Sequence, residues 1–335
     1  MPYVLVFIEI YTEYDKIPGR MRKFFIFLCL LCACISANAA EVLDLNTALQ
    51  NTYRACAEID DNLHDLKVLA GINTAVTGVG TGLGVGAVAT GFIKRKTDKE
   101  IEELERLLKE IEEESAKYSG PKPDAAQKAT FLAEYNNAYN TAITDKETAQ
   151  NKLDELNTKS KKLGNWRTGL LAGNTVTNVA GAVIASKTIN KDDLQGQIDA
   201  CISATKVLNN AIMQAYLNGE DTREAKQIYE ACREYEYVDI GPINKRGTGA
   251  MVASSVGAGL GGIGTITSGI ANSDKTRNDN SDSGKQKEKN LNTASNVLSV
   301  GATAASVTAT VFNATQIAAI KKVAKVSEAC TGVLK

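Results

Sequence analysis

One histidine and one tryptophan stand among the 335 residues. His64 alone leaves little for imidazole-based metal or triad chemistry, and it reads as a solvated helix residue. Aromatic residues make up only 6% of the chain against 44% hydrophobic residues, so the apolar content is mostly Ala, Val, Leu and Ile. That mixture builds helix seams more readily than a β-sandwich core. Neither sign of charge dominates: 38 Lys and Arg face 39 Asp and Glu, a net charge of -1. A general nucleic-acid binder carries a net positive face, so nucleic acid is not an expected partner.

Phosphate-binding and metal motifs are missing too. Ser283-Gly-Lys285 is only a fragment of a phosphate loop. Gly257-Ala-Gly-Leu-Gly-Gly262 matches the dinucleotide fingerprint formally, but such a fold needs strands and helices alternating around it. The flanks here are helical seams and a polar run. The acidic residues 112–114 lack the Gly-turned carboxylate loop of a calcium site and read as a solvated helix face. No cofactor, metal or small-molecule substrate is expected, and the chain is expected not to be an enzyme.

What is present begins with an export signal. Arg22 and Lys23 follow Met21, residues 24–31 are apolar, and Ser36-Ala-Asn-Ala39 ends in the small-x-small pattern of signal peptidase. Residues 21–40 are thus expected to be a signal peptide, cut after Ala39 or Ala40, with residues 1–20 an upstream mis-start. A true N-terminal extension with a membrane anchor is one alternative. A lipoprotein signal around Leu31-Cys-Ala-Cys34 is another, ranked lower because Cys32 suits its position poorly. Cys29, Cys32 and Cys34 leave with the signal. Cys56, Cys201, Cys232 and Cys330 remain, and an even number in an exported chain predicts two disulfides. The expected location is the bacterial periplasm or the cell-envelope membrane.

The mature chain repeats a plan. Tyr53-Arg-Ala-Cys56 recurs as Tyr229-Glu-Ala-Cys232, and Leu156-Asn-Thr158 recurs as Leu291-Asn-Thr293. Asp199-Ala-Cys201 and Glu328-Ala-Cys330 close the two halves. Each half reads cysteine, apolar segment, polar insert, apolar segment, cysteine, which predicts two hairpin repeats, 41–218 and 219–335. The insert of the first, residues 97–163, is expected to be a coiled-coil arm. That of the second, residues 272–290, is polar with no apolar residue after Ala271 and is expected to be disordered. In each half the cysteines lie outside the apolar segments by a helical rise of roughly 15 to 22 Å. Pairs within each half, Cys56–Cys201 and Cys232–Cys330, would staple the hairpins. Cys201–Cys232 with Cys56–Cys330 is the rival, because Asn218-Gly219 can turn a helical hairpin that aligns Cys201 with Cys232. The sequence leaves the connectivity open.

Four small-residue segments carry the apolar content: residues 68–93, 168–186, 247–271 and 293–320. The first holds no charge over more than 20 residues, enough for a helix to cross a bilayer. Gly78, Gly82 and Gly86 recur every fourth residue, as do Gly257 and Gly261, so close helix packing is expected at these five. Asn174 and Asn178 and scattered Ser, Thr, Asn and Gln make the segments only moderately apolar. A soluble bundle is therefore the main rival to membrane insertion, and Gly/Thr/Val β structure a lesser one. Lys94, Arg95 and Lys96 after the first segment, and Lys159, Lys161, Lys162 and Arg167 before the second, favour a cytoplasmic arm and exported cysteines. Lys245, Arg246, Lys321 and Lys322 on the other side weaken that pattern. Trp166 suits a membrane interface or a partly buried site equally.

Ile101, Leu104, Leu108 and Ile111 form an a/d seam in the arm, resumed by Leu132, Tyr135, Tyr139, Ala142, Ala149, Leu153 and Leu156. Residues 119–124 break it into an antiparallel hairpin, which packs on itself or takes a protein partner or a second copy. Asp221-Thr-Arg-Glu224 resembles a capping box at a later helix start. The expected fold class is all-α: internally duplicated helical hairpins with Gly/Ala-rich packing segments and a coiled-coil arm. The expected role is that of a non-enzymatic, membrane-associated structural or interaction protein of the cell envelope. A secreted α-helical pore former and a soluble periplasmic binding module are the alternatives.

Overall fold

The four small-residue segments are all helical in the computed structural model, which describes residues 44–117, 128–189, 191–279 and 281–334. The described chain forms α1 (Leu45–Lys117), α2 (Lys128–Lys187), α3 (Lys191–Leu217), α4 (Arg223–Cys232), α5 (Gly241–Asn272), α6 (Asp274–Arg277) and α7 (Asp282–Leu334), with a 3-10 helix at Arg233–Tyr237. It contains no strand among the described residues, so the protein is all-α and the β alternative falls. The signal region and the break at residues 119–124 lie outside the described residues, as do the side chains of Leu132, Tyr135, Tyr139 and Ala142.

Threonine and glycine are poor helix formers, yet these helices run through many of both. Threonine is accommodated because its hydroxyl returns to the carbonyl one turn back: Thr77 Oγ1 donates to Asn73 O at 2.8 Å and Thr303 Oγ1 to Ser299 O at 2.7 Å. Glycine is accommodated where a neighbouring helix fills the space its side chain would take. Buried positions on each long helix alternate three and four residues apart. On α7 they are Ser295, Ser299, Ala302, Ser306, Ala309, Asn313 and Gln316. A period of 3.5 keeps one stripe against its neighbours over many turns, as in a coiled coil.

The described chain divides into two compact units. One comprises described residues 44–57, 198–236 and 329–334; the other comprises 58–197 and 237–328. Each draws on both sequence halves, so the compact units are not the halves 41–218 and 219–335 themselves.

The smaller unit has an apolar core of Ile198, Leu208, Ala211, Ile228 and Tyr235 around four fully buried cysteines. Disulfides join Cys56 to Cys201 and Cys232 to Cys330, the pairing within each half. They close loops of 145 and 98 residues, each restricting the unfolded chain by about 4 to 5 kcal/mol. Between α3 and α4 the chain reverses at Gly219, where φ is +78°. The Glu220 N–H reaches Ala215 O at 2.9 Å and the Gly219 N–H reaches Tyr216 O at 3.1 Å. This helix ending requires a left-handed residue, which glycine supplies without a Cβ clash. The capping box expected at Asp221 does not form. Thr222 is the N-cap and makes no side-chain cap bond. Asp221 instead accepts from the Arg223 N–H at 3.1 Å and pairs with the Arg223 guanidinium at 2.7 Å. Hydrogen bonds from Arg223 hold the Asp221 carboxyl down at about 2.

The larger unit is a four-helix bundle built from α1, α2, α5 and α7. Beyond the bundle α1 and α2 run on as the arm, where Leu108 and Leu156 are buried and Lys146 of α2 meets Glu112 of α1 at 2.8 Å. The described residues of this stretch, 272–279 and 281–290, are ordered, contrary to the expectation from composition. Ser273 caps α6, its hydroxyl accepting from the Thr276 N–H, and α7 begins at Asp282. Ion pairs from Lys285 to Glu105 at 2.7 Å and from Lys289 to Glu102 at 3.8 Å attach the first turns of α7 to α1. A polar composition is ordered here by cross-helix charge contacts, a term that composition alone does not contain.

Candidate functional site

Over the small-residue segments the bundle is inverted in polarity, and buried polar residues such as Lys94, Ser160 and Ser327 continue outside them. On α1 the buried residues are apolar at Ile59 and Leu63, then become Ala70, Asn73, Thr77, Gly80, Gly84, Ala87 and Gly91 inside the charge-free stretch, and return to Leu108 in the arm. On α5 Ile243 gives way to Gly247, Ser254, Gly257, Gly261 and Ser268, with Ala250 among them. On α7 the sequence Ser295 to Gln316 gives way to Ile320 and Val323. On α2 the inward residues include Arg167, Asn174, Asn178 and Gly181, with Leu171 and Ala185 as apolar members. Most Val and Ile side chains of the same stretches point outward, as does Phe92: Phe92 is 58% exposed, Val176 68%, Ile266 64% and Val297 68%, whereas Leu171 is fully buried.

Inward polar groups bond across helices in successive layers, although the buried Ser254 hydroxyl finds no partner among the described residues. At one end Gln316 Nε2 of α7 donates to Thr188 Oγ1 at 3.2 Å and to the Ile243 carbonyl at 3.2 Å. Next, Asn73 Nδ2 donates to Asn313 Oδ1 at 2.9 Å. In the middle, Asn178 Nδ2 donates to Asn174 Oδ1 at 2.6 Å and to Ser306 Oγ at 2.8 Å. Ser295 Oγ donates to Gly264 O at 3.0 Å, and the hydroxyls of Thr168 and Ser268 meet at 2.8 Å. Arg167 closes the seam with Nη2 at 3.4 Å from Ser299 Oγ, buried to 1% exposure. Just beyond lies a charged cap. Lys94 Nζ sits 2.7 Å from Asp98 and 3.6 Å from Glu288, while Ser160 donates to the other oxygen of Asp98 at 2.6 Å. Lys161 meets Asp274 at 2.8 Å, and its hydrogen bond holds that carboxyl below the usual range.

Close approach depends on particular glycines. A Cβ at Gly257 would lie 2.8 Å from Asn178, and one at Gly261 2.7 Å from Thr175. Gly86 lies against Leu170. Gly78 and Gly82 do not pack: a Cβ there would meet nothing within 4 Å. Gly80, against Thr177, and Gly84, against Thr303 and Asn174, make the α1 contacts instead. The reason is angular. Residues four apart advance about 40° around a helix, so a strict four-residue row winds off a seam that alternates three and four.

Four described helices, α1, α2, α5 and α7, are long and apolar enough to cross a membrane. Of each apolar window only 28% is buried inside the protein. Trp166, at the arm end of the α2 segment, is 70% exposed and lies beside a shallow groove formed with Asn165, Gly169 and Leu170. Among the described residues, the one set of His, Cys, Asp and Glu atoms close enough to share a metal is Cys56, Cys201 and Cys330. Their sulfurs are already committed to disulfides, so they offer no thiolate ligand in this state.

The sequence reading placed Asn174 and Asn178 only as interruptions of an apolar segment, and it missed Asn73, Ser254, Ser306, Asn313 and Gln316 as a set. Their signal is spacing: polar residues three or four apart within otherwise apolar stretches. Comparison with protein-family models, curated proteins and solved structures returns no match.

Proposed function

We propose that the chain is a non-enzymatic structural or interaction protein of the bacterial cell envelope, exported and embedded in the membrane by its four-helix bundle. The inverted polarity carries this reading. In water, a bundle gains stability by burying Val, Ile, Leu and Phe at about 25 cal/mol per Å². This one turns most of the Val and Ile of its charge-free stretches outward and buries Asn, Ser, Thr, Gly and Ala there, with Leu171 among them. In a bilayer the outward side chains meet hydrocarbon, while packing and interhelical hydrogen bonds hold the helices, roughly 0.6 kcal/mol per bond and up to about 1.7. The two disulfides fit an oxidising compartment.

By chain order, one crossing separates Cys56 from the arm, and an even number separates Cys56 from the other three cysteines. That order would put every mature cysteine on the exported side and the arm in the cytoplasm, in keeping with Lys94, Arg95 and Lys96. The arm would be the protein-facing element, with Leu107 half exposed on its surface. The test is membrane fractionation with topology mapping. A cysteine introduced at Arg106 should stay with carbonate-washed membranes and resist an impermeant thiol reagent in intact cells. Release as soluble monomer, or labelling from the periplasm, would sink this layout. A pore former is the second reading, favoured by the polar inward face; it predicts dye release when purified protein meets liposomes, and inert liposomes count against it.

A further inference from the structure

We infer that the two disulfides form a single thiol–disulfide exchange site, with Cys330 as the sulfur through which the bonds change partners. The Sγ atoms of Cys56, Cys201 and Cys330 all lie within 4.8 Å of one another. Yet Cys330 belongs to one bridge and Cys56 and Cys201 to the other. Cys232 is not a member of that close triplet. The three sulfurs are carried by α7, α1 and α3, and all are fully buried. Two bridges stacked this closely are not chemically independent, because a thiolate released from one is already beside the other.

The chemistry runs in two steps. A small dithiol reductant opens Cys232–Cys330, supplying two electrons and two protons and leaving as its own disulfide. Cys330 then loses its proton, and its thiolate attacks Cys201 or Cys56. A new bond forms from Cys330 to the attacked sulfur, the Cys56–Cys201 bond breaks, and the departing sulfur leaves as a thiolate and takes up the proton. The second step is redox-neutral and intramolecular, so orientation rather than reductant concentration governs it. Its product ties α7 to α1 or α3, a bond between the two sequence halves in place of one within a half. The burial of all four sulfurs makes the first step the slow one, since thiol–disulfide exchange needs access to the bond. The inference rests on sulfur positions alone and stands whether or not the bundle is in a membrane.

The experiment uses the full chain purified in detergent. Cys232→Ser leaves Cys330 as a free thiol beside an intact bridge. After incubation at about pH 8, where thiolate is available, then acid quenching, alkylation and peptide mapping, a mixture containing Cys201–Cys330 or Cys56–Cys330 is expected. Cys330→Ser leaves Cys232 free and should retain Cys56–Cys201, with cross-paired species lower by about tenfold. Finding only Cys56–Cys201 in Cys232→Ser overturns the exchange; equal scrambling in both variants overturns the role of Cys330. Should Cys232→Ser fail to fold, the natural chain treated with one equivalent of dithiothreitol decides the matter. Cross-half pairs in the singly reduced species support the exchange, and native pairs alone refute it.

Discussion

Asn178 shows what a single residue does in this bundle. Its amide spans Asn174 on its own helix and Ser306 on α7, and its side chain fills the space left by Gly257 on α5. A hydrogen-bonding residue and a glycine thus act as a lock and its keyway. The same logic separates two neighbouring glycines of α1. Gly84→Val places new carbons against Thr303 and Asn174, and overpacking of this kind costs typically 1–3 kcal/mol. Gly82→Val points into open surroundings and should leave stability within about 0.5 kcal/mol of the natural chain. Thermal unfolding of the two variants in one detergent checks the contrast, and equal losses would show that the outward row packs after all. At this scale the sequence was only partly legible. Gly257 and Gly261 were found from their spacing, whereas Gly78 and Gly82 share that spacing and face outward. Residue identity records the absence of a side chain but not the direction in which it is absent.

Helices and their ends were easier to read in kind than in detail. The four apolar segments and both arms of the insert declared themselves through charge-free runs and an a/d seam. Their polarity did not, because a hydrophobicity profile averages around the helix and cannot tell Asn facing in from Asn facing out. The described part of the polar run 272–290 was misread for a related reason: Lys285, Glu288 and Lys289 dock on α1, contacts between residues nearly 200 apart. Helix starts depend on local chemistry that pH can probe. The Asp221 carboxyl is lowered from 3.8 to about 2 by Arg223. A carboxyl with a depressed native value favours the folded form above its unfolded value and loses that contribution as pH falls through the native one. The contribution at the start of α4 should therefore be complete above about pH 4 and fade toward pH 2. An NMR titration of Asp221 should show its midpoint near 2 and, in Arg223→Ala, a return toward 3.8. An unchanged midpoint in the variant would remove Arg223 as the cause.

For the whole molecule, two interiors of opposite character occur in one chain. One unit hides Ile, Leu, Tyr and cystine in the manner of a small exported domain, and the other carries a seam of amides and hydroxyls behind an apolar exterior, flanked by stretches that bury Ile and Leu. Residues 1–20 and the signal at 21–40 are sequence inferences outside the described residues. The pairing of cysteines within halves, which spacing left undecided between two patterns, has a consequence for the turn at Gly219. That residue is exposed, and each bridge lies wholly to one side of it. The chain is therefore, in its covalent graph, two closed rings strung on one peptide thread. A protease site inserted beside Gly219 and cut should let denaturing, non-reducing electrophoresis resolve two separate pieces. A single band surviving the cut would mean that a sulfur bond had jumped across.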